Sequence, residues 1–318
     1  MTSGSVADRS SGGGRNSART SPAFEKQIRV FVVKKPIIYT VGPAVFFLMV
    51  FGFLPLVLNF LLSLRNVSIS NLGGTWGFIG IRNYIALFSD DRVLSSFLTT
   101  CVFVSLSVII CMLIGTLFAL LLSQNIRGIS IFRSIQIIPI VATPIVLAVV
   151  WRFLLDPTAG PLRLIFKQLG MSNIALLSSS KYTLLTVVLI DVWIWAPFVT
   201  IIILGAISML PQEPFEAASI DGASKLQQFF YLTLPFLKQA LIISATLRFV
   251  DSLKTFGVVW VLTKGGPGFA TNILGLEIYQ RGFKFYHYAE AAGLGILLIF
   301  LAIFAGNIFF KSSKGAEL

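Results

Sequence analysis

Between Lys35 and Arg65 the sequence carries no charged side chain, and between Arg92 and Arg127 it again carries none. A helix needs about 20 apolar residues to cross the hydrocarbon layer of a bilayer. Water-soluble cores rarely hold an uninterrupted apolar helix of more than about a dozen residues. Six segments of membrane-spanning character are read at 38–63, 96–123, 134–155, 183–208, 239–262 and 289–310. The expected fold class is all-α, a polytopic membrane protein with six transmembrane helices. Pro55, Pro144 and Pro197 fall inside these runs, where neighbouring helices or local distortion can satisfy the carbonyls they free.

Only 12% of the 318 residues are charged, about half the share in a soluble domain. The net charge of +12 comes from Lys and Arg that flank the apolar runs, which is the membrane's positive-inside bias, so no nucleic-acid partner is expected. Counting Lys and Arg outside the spans gives 13 on the side of the N-terminal tail and 9 on the other. That excess places both termini in the cytoplasm, with loops 65–95, 156–182 and 263–288 facing outward. Residues 1–25 are rich in Ser, Gly and Arg and are expected to lack structure. Residues 26–318 form the transmembrane domain. Its first apolar run is too long for a signal-peptide core and lacks a cleavage site, so it should persist as an anchor.

Enzymatic chemistry has little to build on. Cys101 and Cys111 lie in one span, ten residues apart, and about 15 Å of helical rise excludes a local disulfide. His287, the single histidine, reads as a loop residue. No GxxxxGK[ST] phosphate loop occurs, and GGTWG (73–77) and TKGGPG (263–268) read as turns. No cofactor is expected, and any ATP hydrolysis would fall to a separate chain.

One stretch fits neither membrane nor ordinary loop. EAASIDGASKLQQFFYLTLP, residues 216–235, places Ala217, Ala218, Gly222 and Ala223 within seven residues and ends on Leu234-Pro235. Pro214 suits a first helical turn, and Glu216 lies near the positive end of the helix dipole. Ala218 and Gly222 share a face, Asp221-Gly222 supplies a bend, and a second helix follows until Pro235. The physical reading is a helix–turn–helix protrusion, within a loop spanning 209–238, whose small face fits a partner's groove. The alternative is an interfacial helix lying on the membrane.

EAASIDGA followed by Leu234-Pro235 resembles the cytoplasmic "EAA" loop of permease subunits of binding-protein-dependent ABC importers. The likeness runs from about residue 37 to 310. FIGIRNYIALF (78–88), DPTAG (156–160), DVWIWAPF (191–198) and LRFVDSLKTFGVVWVLTKGGPG (247–268) are similar to segments of the carbohydrate-uptake members, of maltose, glycerol-phosphate or polyol type. Gly257 stands where relatives often have an acid, and Glu290 where they usually have a small residue. The resemblance implies an importer permease fold in the bacterial inner membrane. It further implies that Glu216, Ala217, Ala218, Asp221, Gly222, Ala223 and Pro235 dock on an ATPase subunit. The implied partners are two ATP-binding subunits, a second homologous permease chain and an extracytoplasmic solute-binding protein.

Charges inside spans point independently to a polar path. Arg152, Asp191, Arg248, Asp251 and Lys254 all fall within the apolar runs, where each costs about 2.5–3.5 kcal/mol at a span's centre, so they should face protein or a wet cavity. Trp193 and Trp195 lie beside Asp191 and could stack on a sugar ring. A plainer reading pairs Arg248 with Asp251 along one helix and lets Arg152 snorkel to the headgroups. A different class of protein, an ion-coupled secondary transporter, would use Asp191 or Asp251 as its coupling site, but no internal repeat supports it. Mono-, di- and oligosaccharides, polyols and glycerol-phosphate-like solutes remain open.

Overall fold

The computed structural model describes residues 36–71, 76–124, 126–168 and 176–314. The tail 1–25 lies outside the described residues. Met1–Leu58 and Asn59–Leu318 form two compact units. α1 (Pro36–Phe47) passes through a π turn, Leu48–Phe53, into α2 (Leu54–Ser63), of which Leu54–Leu58 belong to the first unit and the rest to the second. That turn sits just ahead of Pro55, whose ring displaces the carbonyl four residues back, and a wider turn absorbs the displacement.

The second unit is built on two long helices, α4 (Asp91–Leu122) and α8 (Thr183–Ser208), with the short α3 (Arg82–Phe88) preceding α4. Ser107, Cys111, Gly115 and Ala119 recur every four residues on α4, and all are buried. They meet Val192, Ala196, Val199 and Ile203 of α8, which are also buried. Small residues at this spacing let two membrane helices pack backbone to backbone. Gly115 is the closest point: a β-carbon there would lie 2.6 Å from Val199 Cβ. Thr200 Oγ1 donates to the Gly115 carbonyl at 3.1 Å, and Gln136 Nε2 donates to Thr200 Oγ1 at 2.8 Å, tying in α5 (Ile129–Val141).

Among the described residues, five helices are long and apolar enough to cross a bilayer: Val41–Ser63, Asp91–Leu122, Thr183–Ser208, Lys225–Leu253 and Tyr288–Ile308. The remaining expected span, 134–155, is a broken one. Its halves, α5 and α6 (Pro144–Leu154), meet at 98°. Thr143 precedes a proline, which disfavours helical ψ, and it is extended at φ −64°, ψ 127°.

The fifth span also differs from its expected limits of 239–262. It starts at Lys225 and runs through α10 (Lys225–Gln228), a π turn at Phe229–Thr233 and α11 (Leu234–Leu253). The helix does not yield at Pro235; the π turn accommodates the ring as it does before Pro55. Beyond Leu253 the chain breaks and resumes as α12 (Gly257–Thr263). Gly257 lets α12 approach α6, since a β-carbon would lie 3.1 Å from Ile145 Cγ1. An acid at that position would press into apolar side chains.

Candidate functional site

At one end of the second unit, α9 (Glu213–Ile220) and α10 form a hairpin. The α9 C-terminus closes as a Schellman motif, with Ala223 N–H donating to Ala218 O at 2.9 Å and Gly222 N–H to Ser219 O at 3.2 Å. Gly222 has φ +79° with open space around it, so glycine is required by backbone conformation. It therefore belongs to the turn and does not extend a small face of α9. Ser224 and Gln227 then form a reciprocal capping box that starts α10, and Gln228 Nε2 donates to Ser219 Oγ at 2.9 Å, clamping the two helices together.

Ala218, Asp221, Gly222 and Ala223 line one notch of 360 Å³ together with Gln228 and Tyr231. Glu216 faces a different space, a cleft of 1090 Å³ between α9 and the near ends of α4, α5 and α8, alongside Arg133, Phe215 and Ile220. Ala217 is exposed, and Pro235 lies in the first turn of α11. Phe215 packs on Phe236 at 6.4 Å between ring centres, joining the hairpin to α11. The hairpin surface is strongly apolar for an exposed turn: Ile220 is 87% accessible and Tyr231 78%.

Asp191 of α8 and Arg248 of α11 are fully buried and paired. Ser107 of α4 donates to Asp191 and accepts from Arg248 at 2.8 Å, so three helices meet at one polar point. Asp251 is a longer contact of Arg248, at 3.4 Å, and Lys254 reaches Asp251 at 3.4 Å. The cross-helix pair is thus the shorter one, where spacing along the sequence suggested the intrahelical one. Accessibility rises along the series, from Arg248 at zero to Asp251 at 31% and Lys254 at 64%. Arg152 is exposed and donates to Val261 O at 2.8 Å. The two tryptophans diverge: Trp195 lies under the Arg248 guanidinium at 5.5 Å, while Trp193 packs edge-on against Trp151 at 5.4 Å.

A second polar cluster is built around Glu277, which was not singled out from sequence. Glu277 of α13 (Leu274–Tyr279) is buried and accepts from Arg92 Nε at 3.0 Å, Arg281 Nε at 2.8 Å and Asn272 Nδ2 at 2.7 Å. Arg281, in the π turn Gln280–Lys284, also binds Asp90 and Glu290. Glu290, in the first turn of α14 (Tyr288–Lys314), is thereby part of this knot, with His287 Nδ1 at 3.3 Å. The i, i+4 spacing of Glu277 and Arg281 was the available sequence signal.

Asp90 N-caps α4 through Arg92 N–H at 2.8 Å. Partial burial pushes its carboxyl up, but the hydrogen bond and charge of Arg281 and the Arg92 and Val93 amides outweigh that and hold it below 3.8. A lowered folded-state value gives stability that is present above the unfolded pKa and lost as pH falls through the folded one. The knot should therefore stay closed at neutral pH and loosen only below about pH 4. Amide protection across 274–284, corrected for intrinsic exchange, reads this directly; loosening already near pH 6 would contradict it.

The family described as binding-protein-dependent transport system inner membrane component matches residues 91–314. A probable ABC transporter permease protein of Sinorhizobium fredii is 31% identical over 92% of this chain and 94% of its own. The trehalose/maltose transport system permease protein MalF of Thermococcus litoralis is 32% identical over 74% of this chain and 80% of its own. The sn-glycerol-3-phosphate transport system permease protein UgpA of Yersinia enterocolitica is 34% identical over 71% and 77%. A crystal structure of a bacterial ABC transporter involved in import of the acidic polysaccharide alginate superposes with a TM-score of 0.78 at 18% identity, over 92% of this chain and 98% of that one. The ion-coupled reading has no support in this kinship, and the structure commits Asp191 to Arg248 and Ser107. The chain belongs to the family of binding-protein-dependent transport system inner membrane components, as a membrane-spanning permease subunit of an ABC importer and not an enzyme.

Proposed function

We propose that the chain is one half of an ATP-driven import channel for a sugar or sugar-like polyhydroxylated solute. The observation that carries the solute class is the kinship, over more than two thirds of the chain, with permeases named for trehalose/maltose and for sn-glycerol-3-phosphate. Two ATP-binding subunits, a second homologous permease chain and an extracytoplasmic solute-binding protein complete the assembly. Both termini and the α9–α10 hairpin face the cytoplasm.

The hairpin is the ATPase contact, through Glu216, Ala217, Ala218, Asp221, Gly222 and Ala223, with Pro235 at the root of the span that follows. Its exposed apolar residues and 360 Å³ notch suit a protein surface better than water. A push on the hairpin reaches α11 through the Phe215–Phe236 contact and the π turn between them. From α11 it reaches α8 and α4 through Arg248, Asp191 and Ser107. The solute path runs past this polar series: Asp251 and Lys254 border it, Asp191 and Arg248 stand sealed behind them, and Arg152, Trp193 and Trp195 complete the set.

The test is recovery of the ATPase subunit with tagged wild-type protein, with Gly222→Ala and with Gly222→Trp, at matched membrane levels. Alanine carries only the left-handed strain of about 1–2 kcal/mol and should reduce recovery. Tryptophan also fills the notch and should lower recovery at least about tenfold, as for a hot-spot residue. Uptake into vesicles should require internal ATP and survive collapse of ion gradients. ATPase recovery unaffected by Gly222→Trp would overturn the docking assignment.

A further inference from the structure

We infer that Phe283, Tyr279, Phe256 and Trp260 form an aromatic wall that binds the C–H face of the solute and leads it to Asp251 and Lys254. This rests on the sugar-class reading above. The rings are continuous. Phe283 stacks on Tyr279 at 5.5 Å and 26°, and Tyr279 lies 4.9 Å from both Phe256 and Trp260. Phe256 is two residues beyond Lys254, so the wall ends where the charged series on α11 begins.

Accessibility runs in one direction along this route. Phe283 is 70% exposed, Tyr279, Phe256 and Trp260 are half-buried, and Arg248 at the far end is sealed. Asp251 and Lys254 are the last accessible charges before it. A sugar is apolar on its ring faces and polar around its rim, so sites for it combine aromatic faces with a few placed polar groups. Lipid is a poor alternative occupant. Lys254 is two residues from Phe256 and pairs with Asp251 at 3.4 Å, and charges facing hydrocarbon cost about 2.5–3.5 kcal/mol each near its centre; Lys264 lies 6.0 Å from the Trp260 ring.

The backbone arrangement explains why these rings are presented. Glu277 and Arg281 lie four residues apart and are anchored in the polar knot. Tyr279 and Phe283 have the same spacing but are offset by two residues, which turns them by about 200° to the other side of the helical segment. One face is bolted down by ion pairs, and the opposite face holds two aromatic rings in fixed positions. Rigid presentation lowers the entropy lost on binding.

The experiment is saturation-transfer NMR on the purified importer in nanodiscs, with maltose, trehalose, mannitol and sn-glycerol 3-phosphate as probes. It compares wild type, Phe283→Ala and Tyr279→Leu, with melting temperature and solute-independent ATPase rate measured alongside. Stacking beyond simple burial predicts a three- to tenfold weaker affinity in each variant, about the range for one aromatic contact. Phe283 is 70% exposed, so Phe283→Ala should melt close to wild type while its affinity falls; Tyr279 packs on three rings, so Tyr279→Leu should also melt lower. The basal ATPase rate should not change. Equal affinity in all three proteins overturns the wall and leaves the sugar reading standing. A lower melting temperature with affinity intact also overturns it, by making the rings a subunit contact. Absence of transfer to any probe in wild type overturns the wall together with the sugar reading.

Discussion

Arg248→Met should be the most damaging conservative-sized substitution in the membrane domain, costing about 3–5 kcal/mol. It leaves the Asp191 carboxylate fully buried with Ser107 as its remaining hydrogen-bond partner. Asp191→Asn should cost less, because Arg248 keeps Asp251 within 3.4 Å and the amide still accepts a hydrogen bond. The double variant Asp191→Leu/Arg248→Met removes both desolvated charges, and most of the loss should return. Ser107 is left with a local carbonyl one turn back, an ordinary outcome for a helical serine. Thermal melting of the purified protein, with monodispersity on gel filtration, measures all three. Arg248→Met melting as high as wild type, or Asp191→Asn melting lower than Arg248→Met, would show that the pair does not carry the α4–α8–α11 contact.

The spans were legible because insertion into lipid is decided by long apolar runs, a property of local sequence. Their breaks were not. Pro144 marks a 98° bend, yet Pro197 lies in a similar run and α8 continues unbroken from Thr183 to Ser208. A proline frees a carbonyl in both places; whether the helix bends depends on what packs around it. The hairpin was legible for the opposite reason. Its capping residues and Asp221-Gly222 act within one turn of chain, and the structure uses them locally. The function given to Gly222 shifted, because spacing along a helix says nothing about a residue that has already left it.

Pairing across helices was the least legible feature. The i, i+3 spacing of Arg248 and Asp251 is visible in sequence, but Asp191 lies 57 positions away and meets Arg248 only through the rotation of two packed helices. Glu277 shows the same limit: its partners Arg92 and Arg281 come from distant and local chain alike. By contrast, the stripe Ser107, Cys111, Gly115 and Ala119 announces a close helix contact by its four-residue period.

That stripe sets the second large effect. Gly115→Ala places a β-carbon 2.6 Å from Val199 Cβ and 3.1 Å from the Ala196 carbonyl. The first contact is closer than β-carbons approach and the second is tight, and neither neighbour is the free end of a flexible side chain. The two helices must separate or twist, which costs about 1–3 kcal/mol for one added carbon in a packed core. Separation also lengthens the Thr200–Gly115 hydrogen bond and disturbs the meeting of Ser107 with Asp191 two turns away. Gly115→Leu should therefore fail to accumulate in the membrane. Val199→Ala removes only the Cγ1 contact at 2.7 Å and should rescue Gly115→Ala little, because the β-carbon at 2.6 Å is still present. Val199→Gly removes that carbon and should restore part of the lost stability, read as melting temperature. Equal rescue by both second-site changes would mean that the β-carbons do not set the helix separation.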